Sequence, residues 1–455
     1  MSDIVQKLAC VFVSFAILGN AYFTRRIVGS WSAPGALFSL FWFAMTFLPL
    51  VLLPAVPANP WALLYILAAC VVMSLSAGLK RWGNAWRQRA YYAPVTGPVY
   101  NTHFLFVAFL GCAAGAMLCI ILSIFTQGFS ITDLTTNLIG SASEYINRRY
   151  NQDLIQNLFQ SCGNVFSYAT SALGGLVLLG LRARSRRFLT ITLVILPGLL
   201  VMVVQGAKGM LFLNLAMFFG GTLIYRLHRG DRRIFDKGFF VKGAPYFAAI
   251  FAAVTFAFLA RGIRASSIQE AFEPLVKLYG SYAAGHLYAF SDWFSFYTVG
   301  ESSQPYAREP ATYGFYTFMS IFQLFGDKRE VYPGIYAEYF TYSYYLQTNI
   351  YTIFRGLIQD FGIPGSLLII GVFGFIANEL YYSLIAKPIS GFRAASYIFM
   401  MGIFYMSYLI SIFIWTSPLA AAALVWVVLF FNASTFAGNA KKVGPLPTLE
   451  RPALR

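Results

Sequence analysis

Eleven apolar runs, each near helical span length, recur along this chain: 4–23, 35–56, 61–79, 104–125, 164–181, 188–204, 210–225, 243–260, 363–385, 395–414 and 419–437. About 20 apolar residues in a helix cross a hydrocarbon core of roughly 30 Å. The short alternating segments of an outer-membrane barrel are absent. The pattern therefore predicts an all-α polytopic integral membrane protein of about eleven transmembrane helices. Eight spans fill 1–260, a long loop occupies 261–362, three spans fill 363–437, and 438–455 form a tail. Two parts of the loop, 313–325 and 336–353, are apolar enough to enter the bilayer as re-entrant or half-helices. In the polar segment 127–160, Ser141-Ala142-Ser143-Glu144 has the form of a capping box, which predicts a short amphipathic helix beginning there.

Composition agrees with the pattern. Of 455 residues, 58% are hydrophobic and 11% charged, too little polar surface for a soluble domain. The net charge of +16 would suit a nucleic-acid partner, but the basic residues sit in short clusters between apolar runs, as the positive-inside bias predicts. Placing those clusters in the cytoplasm gives 22 Lys or Arg against 3 acids on the inner side, and 11 against 13 on the outer side. The N-terminus is then outside and the C-terminus inside, in an inner membrane with the long loop on the outer face. The first run follows an acid and has no basic leader, so it reads as a retained span. The five cysteines lie in or beside apolar runs and read as small buried hydrophobes.

The expected spans carry almost no ionisable residue apart from Glu379, and no internal repeat is visible, so a transporter is disfavoured. No Asp-x-Asp, metal-ligand cluster, Walker loop or nucleotide fingerprint is present. Neither metal nor cofactor is expected, and a donor that already carries its own energy fits what remains.

The loop holds cations on the face where they are normally scarce: Arg261, Arg264, Lys277, Arg308, Lys328, Arg329 and Arg355. Arg261 and Arg264, at i and i+3, share a helical face and can grip a phosphate or pyrophosphate; both also suit a snorkelling anchor. Lys208 stands in the turn Gly206-Ala207-Lys208-Gly209, where a helix N-terminus favours an anion. Between Tyr279 and Tyr351 lie 14 of the chain's 29 tyrosines, which suits either an interfacial belt or a groove for sugar rings. His286 is the one histidine of the loop and a candidate general base, in competition with Glu309, Glu338 and Asp360.

The run Thr348-Asn349-Ile350-Tyr351-Thr352, then Arg355, Asp360-Phe361-Gly362 and Gly365, resembles the Wzy-type O-antigen polymerases, or oligosaccharide repeat-unit polymerases. The many spans, the Gly-x-Lys turn and one large outer loop entered through arginines agree with it. The resemblance implies a metal-independent, GT-C-like glycosyltransferase at the periplasmic face. Such an enzyme moves a glycan from undecaprenyl pyrophosphate to a lipid-linked repeat unit, and the family suggests a chain-length regulator as partner. By motif, Arg355 and Asp360 carry over; by location, Arg261, Arg264, Lys208 and His286. The resulting expectation has Lys208, Arg261, Arg264 and Arg355 on the pyrophosphate and Tyr336, Asn349 and Tyr351 on the glycan. His286, Asp360 or Glu338 would be the catalytic base. An O-antigen ligase, or a polysaccharide flippase, is the alternative.

Overall fold

The computed structural model describes residues 3–95, 101–151, 153–154, 157–236, 238–259, 268–307, 309–327, 329 and 336–442. Before the long loop lie α1 (Asp3–Val28), α2 (Pro34–Leu52), α3 (Pro60–Leu75), α4 (Trp82–Val95), α5 (Thr102–Thr126), α6 (Ile131–Thr136) and α7 (Leu138–Tyr150). Then come α8 (Leu158–Leu178), α9 (Arg184–Gln205), α10 (Gly209–His228) and α11 (Phe239–Leu259). The loop contributes α12 (Ile268–Ala283), α13 (Gly285–Val299), α14 (Phe315–Leu324) and an antiparallel hairpin of β1 (Phe340–Tyr342) and β2 (Leu346–Thr348). The chain closes with α15 (Thr352–Ala386), α16 (Gly391–Met406) and α17 (Thr416–Lys442).

Each expected span overlaps a helix, and the protein is an all-α membrane protein. Among the described residues nine helices are long and apolar enough to cross a bilayer. The two expected spans outside that set are α8 and α16. Helix α8 can be more polar because it is wrapped by protein: Ser167, Thr170, Ser171, Gly174 and Gly175 are all buried, and Asn214 of α10 donates to Ser167 Oγ at 2.8 Å. Its glycines let neighbours approach backbone to backbone, the packing mode available where no hydrophobic gradient drives helices together. A Cβ on Gly175 would overlap the Phe218 carbonyl, and one on Gly221 would lie 2.5 Å from the Ala172 carbonyl oxygen.

The expected tenth span, 395–414, is broken after Met406. The freed backbone is bonded from neighbouring elements, as an apolar setting requires. Ser407 O accepts from Ile353 N–H at 2.8 Å, Ser320 Oγ donates to Phe413 O, and Ser411 Oγ donates to Thr317 O, the last two at 2.6 Å. The ninth span begins earlier than expected. Helix α15 starts at Thr352 and kinks at Gly362, whose φ of 69° and ψ of 175° are all but closed to other residues. Of the two candidate re-entrant stretches, 313–325 contains the short apolar helix α14, whereas 336–353 holds the β-hairpin in place of a half-helix.

The capping box is also displaced. Asn137 caps α7, so Ser141 lies inside the helix and Glu144 pairs with Arg148 one turn on. The true box is Ser130 with Asp133, at the start of α6.

Two ends of the bundle can be told apart. At one, α1 begins and α3 starts: Lys7 Nζ donates to the Leu53 and Val56 carbonyls and to Tyr288 of α13. At the other, where α1 ends and α4 begins, three basic clusters converge: Arg26, Arg87 and Arg232 line one cavity. Helix α15 runs between them, from Arg355 to Tyr381, whose hydroxyl bonds Ser32. That path is roughly 35–40 Å at 1.5 Å per residue.

The packing around α8 gives a stability test. Gly175→Leu should cost more than about 3 kcal/mol, because the new atoms meet backbone that cannot move aside. Gly111→Leu, where a Cβ meets nothing within 4 Å, should be near neutral. Thermal unfolding of the purified variants would reveal the difference, and equal melting would refute the close α8–α10 contact.

Candidate functional site

Arg355 sits on the first turn of α15, one residue beyond Phe354, whose ring packs 4.6 Å from Trp42 of α2. The guanidinium is 2% exposed and is enclosed by aromatic rings from four separate parts of the chain. Its Cζ lies 3.9 Å from the Tyr336 ring centroid, 4.3 Å from Tyr351, 5.3 Å from Trp293 and 5.7 Å from Tyr306. Each such contact is worth about 0.5–2 kcal/mol when desolvated. Among the described residues one carboxylate reaches it: Arg355 Nη2 donates to Glu338 Oε1 at 3.2 Å and Oε2 at 3.1 Å. Among the described residues, Nε and Nη1 have no hydrogen-bond partner. The cation is therefore held by rings and a single carboxylate, with donors to spare.

Local backbone brings these groups together. The hairpin returns the chain from Glu338 to Tyr351, which caps α15, and Thr352 takes a left-handed φ of 67°. A non-glycine residue there is strained by about 1–3 kcal/mol, a cost commonly found at functional sites. Tyr316 of α14 stacks on Tyr336 with centroids 5.6 Å apart, and its hydroxyl donates to Glu309 at 2.7 Å. Burial pushes the hydroxyls of Tyr306, Tyr316 and Tyr336 well above their ordinary pKa and that of Tyr351 up to about 12. All four are neutral near pH 7.

Tyr336 and Tyr351, expected to hold a glycan, are buried against Arg355 and do not line an open groove. Asn349 is half-buried in the short link between β2 and α15. Among the described residues of the loop, the tyrosines that face outward are Tyr297, Tyr313, Tyr339 and Tyr344.

Asp360, five residues further along α15, is used differently. Its carboxylate accepts four hydrogen bonds: from Tyr316 N–H at 3.1 Å, Thr317 N–H at 2.7 Å, Thr317 Oγ1 at 2.5 Å, and Thr312 Oγ1. It caps the N-terminus of α14 from another helix and is itself 1% exposed. That geometry is a structural cap with no lone pair aimed at a substrate.

His286 also lies elsewhere. It is fully buried between Trp42 and Tyr408, with Nε2 2.8 Å from the Met45 carbonyl oxygen. Burial pushes its pKa down to about 4, away from the near-neutral value expected of a general base. Lys208, 5% exposed, is a second cation stacked on rings, its Nζ 3.9 Å from Phe258 and 5.0 Å from Tyr282. Those rings belong to α11 and α12 and are distinct from the Arg355 set. Arg261 and Arg264, with Arg308 and Lys328, lie outside the described residues.

The structure thus brings together Arg355, Glu338, Tyr336 and Tyr351, and leaves Asp360, His286 and Lys208 in other settings. Trp293 and Tyr306 are the members that sequence reasoning missed as individuals. Tyr306 was visible only as one of many tyrosines, and nothing in the sequence around Trp293 marks it.

Removing the Asp360 cap strands four donors. Asp360→Ala should lower stability by about 2–5 kcal/mol, and Asp360→Asn by less, since one acceptor oxygen remains. Thermal unfolding in detergent is the measurement, and unchanged melting for Asp360→Ala would overturn the cap. Compared with known proteins, the chain matches no family model, no curated protein and no solved structure.

Proposed function

We propose that this chain is a glycosyltransferase of lipid-linked glycans, in the manner of an oligosaccharide repeat-unit polymerase. It would work at the periplasmic end of an inner-membrane bundle. The observation that carries the reading is Arg355: a buried guanidinium ringed by Tyr336, Tyr351, Trp293 and Tyr306, with Nε and Nη1 unpartnered among the described residues. A diphosphate offers acceptors for those donors, and bidentate contact with a guanidinium is among the strongest polar interactions available. The motif resemblance that includes Arg355 supports the same assignment.

In the proposed reaction the donor is a glycan on undecaprenyl pyrophosphate. The acceptor hydroxyl of a second lipid-linked repeat unit attacks the anomeric carbon, forming a new C–O bond. The bond from that carbon to the diphosphate oxygen breaks, and its electron pair leaves on the diphosphate. Arg355 offsets the charge that develops there. Glu338, one quarter exposed, is displaced from Arg355 by the incoming diphosphate and takes the acceptor proton. The outward-facing Tyr313, Tyr339 and Tyr344 meet the sugars. No metal or cofactor takes part in this scheme.

The test is electrophoretic profiling of surface polysaccharide from cells whose own copy is deleted and replaced by variants matched for membrane level. Arg355→Gln should reduce chain extension by about 10²–10³-fold, leaving single repeat units on the core. Arg355→Gln/Glu338→Gln, which removes the buried pair together, should melt near the wild type yet remain inactive. Full-length polymer from Arg355→Gln would sink the pyrophosphate assignment. A deletion that leaves no O-antigen attached points to a ligase, and lipid-linked substrate held on the inner leaflet points to a flippase.

A further inference from the structure

The other end of the bundle holds a cavity of about 420 Å³, lined in part by Arg26, Gly29, Trp82, Trp86, Arg87 and Arg232. These residues come from the end of α1, the start of α4 and the link from α10 to α11, three segments far apart in sequence. The walls are fixed. The Trp86 indole N–H donates to Val28 O at 2.7 Å, and the Arg232 guanidinium stacks 4.4 Å above the Trp86 ring. The Arg232 carbonyl accepts from Ser30 Oγ at 3.0 Å, and Gly29 turns the chain out of α1 with φ of 80°.

The acids of this region are already committed. Asp231 bridges Arg226 and Arg233, and Asp236 pairs with Arg226. Among the described residues Arg26, Arg87 and Arg232 form no salt bridge, yet three guanidiniums share one concavity. All three are exposed, so an anion entering the cavity meets several guanidiniums at once. Helix-end arginines that only reach for the membrane surface do not require indole walls or a backbone-anchored stack.

We propose that this cavity binds a phosphate, carried by the headgroup of an anionic lipid at the membrane surface. The guanidiniums supply paired N–H donors to the phosphate oxygens, and Trp82 and Trp86 supply the amphipathic wall that sits at a headgroup. Free inorganic phosphate shares the chemistry. The assignment is independent of the Arg355 site, at the opposite end of α15.

Native mass spectrometry of the full chain would count lipids retained from micelles doped equally with phosphatidylglycerol or phosphatidylcholine. In parallel, inorganic phosphate would be titrated against thermal unfolding. The wild type should retain phosphatidylglycerol in preference. Arg26→Gln/Arg87→Gln should weaken retention about tenfold or more, whereas Arg182→Gln/Arg184→Gln, which removes the same charge from positions that do not line the cavity, should not. Stabilisation by inorganic phosphate that is lost only in the first double variant, without lipid preference, keeps the site and makes free phosphate its ligand. Equal weakening in both double variants, or no response to either phosphate source, overturns the proposal. Should the first double variant fail to fold, Arg87→Gln against Arg184→Gln gives the same comparison.

Discussion

The Asp360 carboxylate is the interaction on which the loop end of this protein depends. A short helix such as α14, with apolar surroundings and no capping side chain of its own, begins with orphan N–H groups that water cannot reach. Asp360 supplies acceptors to Tyr316 and Thr317 from α15 and adds the hydroxyls of Thr312 and Thr317. Helix α14 is then pinned to α15; its Ser320 hydroxyl donates to the broken backbone at Phe413 O, and Ser411 from the break donates back to Thr317 O of α14. Several irregular pieces are thus tied into one platform.

Arg355 rides on that platform. With α14 fixed, Tyr316 stacks on Tyr336, and Tyr336 in turn covers the guanidinium. Asp360 and Glu338 therefore divide the labour of two carboxylates near one helix. The first is saturated by neutral donors and holds shape. The second is one quarter exposed, faces a cation, and can be exchanged for another anion. A buried pair of this kind gains little net stability over an apolar replacement, so its retention is better explained by what the charge does.

Much of this was legible in the chain and some of it was not, for reasons that differ residue by residue. The apolar runs located the nine long apolar helices among the described residues and, besides them, α8 and α16, because an apolar setting forces the hydropathy pattern to follow the spans, while α4 and α13 lie outside those runs. The misplaced cations pointed to Arg355 and Lys208, and both prove to be buried on aromatic rings. The burial of His286 was not legible because its surroundings are made by Trp42, Met45 and Tyr408, residues more than a hundred positions away on either side. Asp360 looked like a base because a carboxylate in a motif carries no sign of its partners; the cap exists only once α14 is folded beside it. The break after Met406 was hidden because its stabilising hydroxyls lie on another helix, and a window of hydropathy does not register them.

Gly362 has a consequence for how this chain can vary. Its backbone conformation is in effect reserved to glycine, and it divides α15 into a segment bearing Arg355 and Asp360 and a segment that spans the bundle. Any substitution there would force the two segments towards collinearity and swing the guanidinium away from its rings. Drift among descendants of this sequence is therefore closed at that one position. Exposed neighbours along the same helix, such as Leu368 and Val372, remain open to replacement by any side chain that suits lipid.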